Sequence, residues 1–130
     1  MTDGQAELIR YRLSRAKETF EEANELVNSG HLYGAANRIY YACFYAVVAL
    51  ILTKDLSSSK QSGVIGLFNK NFVRTGDIPK EMGKFYSWMF DNRLESDYGE
   101  LIEIDPDGIK QDLAAAAEFI DLITAMISNK

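Results

Sequence analysis

From Leu32 to Thr53 the chain is apolar on nearly every side of a helix, and this stretch constrains the fold more than any other. Tyr33, Ala36, Tyr40, Phe44, Val47 and Ile51 form one stripe at spacings of three and four. Ile39, Ala42, Ala46, Ala49 and Leu50 cover much of the rest. A helix of this kind belongs at the centre of a bundle, and its alanines let neighbours come close. Within it stands the run Asn37-Arg38-Ile39-Tyr40-Tyr41-Ala42-Cys43-Phe44-Tyr45. An arginine, an asparagine and three tyrosines there are either a polar network tying helices together or part of a binding surface.

The remaining segments also read as helices. A first helix is predicted over Gly4 to Asn28, with Ile9, Leu13, Ala16, Phe20, Ala23 and Val27 on its buried face, Asp3 as N-cap and Ser29-Gly30 as stop. A third runs from Lys60 to Arg74 along Val64, Phe68 and Phe72. Gly63 and Gly66 weaken it unless they permit a close crossing. A fourth begins near Ile78 with Pro79 in its first turn, and Ile78, Met82, Phe85 and Met89 line its face. Its end falls between Asn92 and Asp97. A fifth runs from Pro106 to Ile127, capped by Asp105, with Ile109, Leu113, Ala116, Ile120, Ile123 and Ile127 facing the core. No strand alternation, internal repeat or long linker interrupts this pattern. The expected fold is all-α: one domain over residues 1–130, an antiparallel up-and-down bundle of four to five helices.

Length and composition fit a domain that buries its core without disulfides or metals. Cys43 is the only cysteine, which excludes an intrachain disulfide and points to a reducing cytoplasm. The first twenty residues are charged and periodic, unlike a signal peptide, and Ala42 to Leu52 is too short to span a bilayer, so no membrane partner is expected. The net charge of -5 argues against general duplex binding. A local basic patch remains compatible with a nucleotide or RNA ligand. Residues 54–84 are rich in lysine and arginine, whereas residues 91–112 are acidic.

Metal chemistry has little to build on, because His31 is the sole histidine and no His–carboxylate helix pattern surrounds it. Neither a metal nor a cofactor is expected. His31 reads as a loop or helix-start residue, with a phosphate contact near Arg38 as the alternative. Cys43 reads as a small core hydrophobe. There is no nucleophile elbow and no phosphate-cradling glycine loop. Arg38 stays charged and is costly to bury unpaired. Arg38, Tyr41 and Tyr45 share one side of the helix, beside Asn37. They form a structural arginine–tyrosine–carboxylate network or an anion or nucleotide site. A second constellation, Arg93-Leu94-Glu95-Ser96-Asp97-Tyr98, closes the fourth helix. Asp97 and Tyr98 either anchor that helix or, with Arg93, contact a ligand.

In order and spacing, Asn37-Arg38-x-Tyr40-Tyr41-Ala42-x-Phe44-Tyr45, Ser62-Gly63-Val64-Ile65-x-Leu67-Phe68 and Arg93-x-x-x-Asp97-Tyr98-Gly99 resemble the HEPN-domain superfamily. The resemblance is to its small uncharacterised subgroup, and it covers nearly the whole chain. It implies a helical bundle that commonly forms a homodimer. It also implies a minimal nucleotidyltransferase partner and a place in toxin–antitoxin systems. Active relatives are metal-independent endoribonucleases whose mark is an arginine, four to six residues, then a histidine. Others serve as binding or scaffold modules.

Carried onto this chain, Arg93 matches that arginine and Tyr98 occupies the end position, so these two are the candidate catalytic residues. Where many relatives carry a histidine before the Ser-Gly pair, this chain has Gln61; where some carry one late in the second-helix motif, it has Tyr45. Histidine moves protons near neutral pH, with an unperturbed pKa of about 6.5, whereas tyrosine sits near about 10. The leading expectation is therefore a nucleotide- or partner-binding HEPN module. The alternatives are a metal-independent endoribonuclease toxin and a purely structural helical adaptor.

Overall fold

Thr2 and Gln5 start the first helix by capping each other. The Thr2 hydroxyl accepts from the Gln5 N–H at 3.1 Å, and the Gln5 carboxamide oxygen accepts from the Thr2 N–H at 3.0 Å. In the computed structural model α1 spans Asp3–Asn28, so the N-cap is Thr2 and not Asp3. A Thr-x-x-Gln box satisfies two helix-end donors at once, which moves the cap by one residue. The structure describes residues 2–98 and 104–129, with side chains given for all of these except 93–98.

The α1 stop combines two bonds: the Gly30 N–H donates to the Val27 carbonyl and the His31 N–H to the Leu26 carbonyl. Gly30 takes φ 77°, a conformation in which a Cβ would be strained. The chain then reverses into α2 (Leu32–Leu52), with His31 at the N-cap and solvent-exposed. Four pairs fix the alignment of this hairpin. Gln5 bonds Asp55, Arg15 lies over Tyr45, Glu22 faces Arg38, and Leu26 packs on Gly34. In each pair the residue numbers sum to 60, so α1 and α2 run antiparallel in one unbroken register.

A short linker leads to α3 (Gln61–Phe68). Gly63 leaves room for Ser58, whose Cβ would stand 2.8 Å from an added methyl, whereas Gly66 faces open space. The predicted continuous helix to Arg74 instead widens into a π turn over Asn69–Val73, closed by Arg74 N–H to the Asn69 carbonyl. Phe68 and Phe72 are both buried, their rings stacked at 6.5 Å. Lys54 takes the Asn71 carbonyl at 2.7 Å and lies 4.3 Å over the Phe72 ring. Next, α4 spans Lys80–Tyr98. Pro79 lies one place before the first turn, not in it, and its carbonyl accepts from the Gly83 N–H. The last helix, α5 (Pro106–Ser128), is capped by Asp105 with proline in its first turn, as expected.

These five helices form an all-α bundle with α2 at its centre, packed by α1 and α5 and flanked by α3 and α4. Tyr40, Phe68, Tyr86 and Phe119 meet in the core, one ring from each of α2, α3, α4 and α5. Two departures from the expected stripes are instructive. Tyr86 is fully buried while Met82 and Phe85 are half-covered. Tyr33 is 57% exposed, because it lies in the first turn of α2 before that helix enters the core. By length and composition α2 could cross a membrane, yet 56% of its most apolar window is buried inside the bundle. Its apolarity is accounted for by helix packing.

Candidate functional site

Side chains on an α-helix turn about 100° per residue, so consecutive residues of the second-helix motif divide between core and surface. Ile39, Tyr40, Ala42 and Cys43 go inward. Asn37, Arg38, Tyr41, Phe44 and Tyr45 stay half-buried. Cys43 is sealed, and burial pushes its thiol pKa up, so it is a core residue and not a nucleophile.

Arg38 is positioned mainly by its own helix. Its Nε and Nη2 both donate to Asn37 Oδ1, at 3.0 and 2.6 Å. Its guanidinium stands 5.4 Å from the centre of the Tyr41 ring. The approaching carboxylate is Glu22 of α1, whose Oε1 lies 3.8 Å from Nη1. Both partners remain open to solvent, Arg38 at 31% and Glu22 at 47% of side-chain area. The result is an oriented, accessible cation, with its counterion at the outer edge of pairing distance.

Gln61 at the start of α3 ties this face to the core. The Tyr40 hydroxyl donates to Gln61 Oε1 at 2.8 Å, and Gln61 Nε2 donates to the Tyr41 hydroxyl oxygen at 3.2 Å. The bridge holds the Tyr41 ring beneath Arg38. One turn further along α2, Tyr45 packs beside Tyr41 at 6.4 Å and carries Arg15 of α1 over its ring at 5.3 Å. Arg15 also donates to Glu18 at 3.1 Å. Its hydrogen bond with Tyr45, ahead of the Glu18 contribution, raises the guanidinium pKa above its ordinary value.

The structure thus brings together four of the residues expected from sequence: Asn37, Arg38, Tyr41 and Tyr45. It adds Gln61, Glu22 and Arg15, which sequence reasoning did not place there. The α1 members follow only from the hairpin register, which the run of charges on α1 does not reveal. Arg93, Asp97 and Tyr98 belong to the last turns of α4, and their side chains lie outside the described residues.

A five-helix bundle with a polar aromatic face on its central helix defines a class of small all-α domain. Residues 9–126 match the HEPN domain, and the chain belongs to that family. A "UPF0332 protein" of Thermotoga maritima is 46% identical over 122 residues, covering 94% of this chain and 92% of that protein. Two proteins of Methanocaldococcus jannaschii, each named "Putative toxin", are 36% and 37% identical over 92 residues. Those matches cover 71% of this chain and 63% of each archaeal protein, so the chain spans just under two thirds of their length.

Proposed function

We propose that this chain is the HEPN component of a toxin–antitoxin pair and works by binding a nucleotide-like ligand at the Asn37–Arg38–Tyr41 face. The observation that carries this reading is Arg38, fixed by Asn37 and Tyr41 yet open to solvent. A pair at 3.8 Å between partly solvated groups contributes little, so a phosphate displaces Glu22 at small cost. The relatives named as toxins support the system-level part of the reading. A minimal nucleotidyltransferase in the cytoplasm is the partner it implies.

Catalysis is the second reading. In it the chain is a metal-independent endoribonuclease with Arg93 stabilising phosphate charge and Tyr98 orienting an oxygen. By the resemblance, Tyr98 takes the position at which active members of the family carry histidine. Phenols, with a reference pKa of about 10, are poor general bases at neutral pH, which ranks binding ahead of cleavage.

Two measurements on the purified chain separate these readings. Nucleotide binding by calorimetry should fall at least about tenfold in Arg38→Ala, a loss of about 1.4 kcal/mol. Equal affinity in both proteins removes the binding proposal. A mixed RNA pool, with and without EDTA, should stay intact. Cleavage that survives EDTA and is lost in Arg93→Ala establishes the nuclease in its place.

A further inference from the structure

Arg38 is not the only cation held over a tyrosine on this face. Arg15 stands 5.3 Å from the centre of the Tyr45 ring, Arg38 stands 5.4 Å from that of Tyr41, and the two rings are 6.4 Å apart. Tyr41 and Tyr45 project from one side of α2, a helical turn apart. The arginines come from different helices, and the hairpin register brings them to the same face. Neutral groups orient both: Asn37 and Tyr41 hold Arg38, and Tyr45 holds Arg15.

Each arginine faces a carboxylate that is easily given up. Glu18 meets Arg15 at 3.1 Å and Glu22 meets Arg38 at 3.8 Å, with 62% and 47% of their side-chain areas exposed. Ion pairs between solvated groups contribute little. When both carboxylates swing into solvent, two oriented guanidiniums remain side by side. Arginine presents a planar fork that takes phosphate oxygens in pairs. One phosphoryl group satisfies Arg38. A second, joined to it through a bridging oxygen, extends along the face toward Arg15.

The tyrosine rings are not free to stack on a base. Each already carries a guanidinium, and Tyr41 meets Tyr40 and Phe44 edge-on at 5.2 and 6.0 Å. Gln61 holds the Tyr41 hydroxyl from the other helix. A base that stacked here would push aside the cation that binds the phosphate.

We infer that Arg15 and Arg38 form a two-point clamp for a diphosphate group, which this face recognises without reading the base. The inference rests on the ligand reading above and adds to it the role of Arg15, the number of phosphoryl groups and indifference to the base.

Calorimetry in buffer free of divalent cations tests it with AMP, ADP, UDP and inorganic pyrophosphate. ADP should bind at least about tenfold more tightly than AMP, and ADP and UDP should agree within about threefold. Pyrophosphate alone should bind and should displace ADP. Arg15→Gln should bring ADP and AMP within about threefold of each other, because the second phosphoryl group loses its contact. Glu18→Gln/Glu22→Gln, which removes the competing carboxylates, should tighten ADP binding at least about threefold. Far-UV circular dichroism checks that each variant is folded. AMP that binds as tightly as ADP, with both dependent on Arg38, leaves the nucleotide reading standing and overturns the clamp. An ADP preference that survives Arg15→Gln overturns it too. ADP binding that pyrophosphate does not displace, or that UDP fails to match, makes the base the recognised part and overturns the inference. Failure of every probe to bind removes the clamp and the ligand reading together.

Discussion

Arg38 answers to two descriptions, structural cross-link or ligand contact, and its surroundings distinguish them energetically. A cross-link would need a close, desolvated carboxylate, whereas Glu22 is 3.8 Å away and half in water. Arg38→Ala should therefore change unfolding free energy by no more than about 0.5 kcal/mol in urea titration, while nucleotide affinity falls at least about tenfold. A loss of several kcal/mol would make Arg38 a structural residue. The sequence placed Arg38, Tyr41 and Tyr45 on one side of a helix, with Asn37 adjacent, because that inference needs only helical geometry. It left Gln61 and Glu22 unplaced because their roles depend on how α1 and α3 meet α2, which local spacing does not encode. Thus Gln61 stood out only as a departure from the family pattern, yet it joins a core tyrosine to a surface one.

At the level of helices, boundaries with a strong local cause were legible. Gly30 ends α1, and Asp105-Pro106 begins α5, because each residue's own backbone preference decides the matter. The π turn of residues 69–73 was not legible. Around it Phe68 and Phe72 are buried and Lys54, in the turn after α2, reaches the Asn71 carbonyl and the Phe72 ring, contacts that local spacing does not encode. A similar tertiary constraint governs Gly83, which is buried against Val73. A methyl added at Gly83 would lie 2.8 Å from Val73 Cγ1. Gly83→Ala should destabilise the protein by about 1–3 kcal/mol despite alanine's better helix propensity. Adding Val73→Ala should reduce that penalty, so a double-mutant cycle should show coupling between the two sites. Additive effects would mean that the crowding is relieved elsewhere.

Across the whole molecule the net charge is −5. One acidic group also links stability to pH. Partial burial raises the Asp112 carboxyl pKa, so the folded state holds its proton more tightly than the unfolded chain does. Asp112 therefore lowers stability as pH rises through the carboxylate range, and the cost is fully present at neutral pH. Asp112→Asn should raise Tm at pH 7, and the advantage should disappear well below the carboxylate range. Because Asp112 is only half-buried, solvent screening keeps the effect modest. A gain in Tm that persists undiminished at low pH would assign it to something other than charge.

The unbroken register between α1 and α2 also bears on the order in which the chain acquires its shape. Three residues separate the two helices, so their contacts close short loops, whereas α5 returns to them only after the rest of the chain. The hairpin is then the natural folding nucleus. Asn24 on α1 and Ala114 on α5 are both exposed, so glycine in place of alanine at either position costs about 1 kcal/mol through helix propensity alone. In stopped-flow kinetics Asn24→Gly should fold more slowly than Asn24→Ala, while Ala114→Gly should chiefly hasten unfolding relative to the wild type. The reverse would place the nucleus at α5. A hairpin that closes first also presents the Tyr41, Phe44 and Tyr45 rings as a ready-made apolar surface on which the later helices can settle.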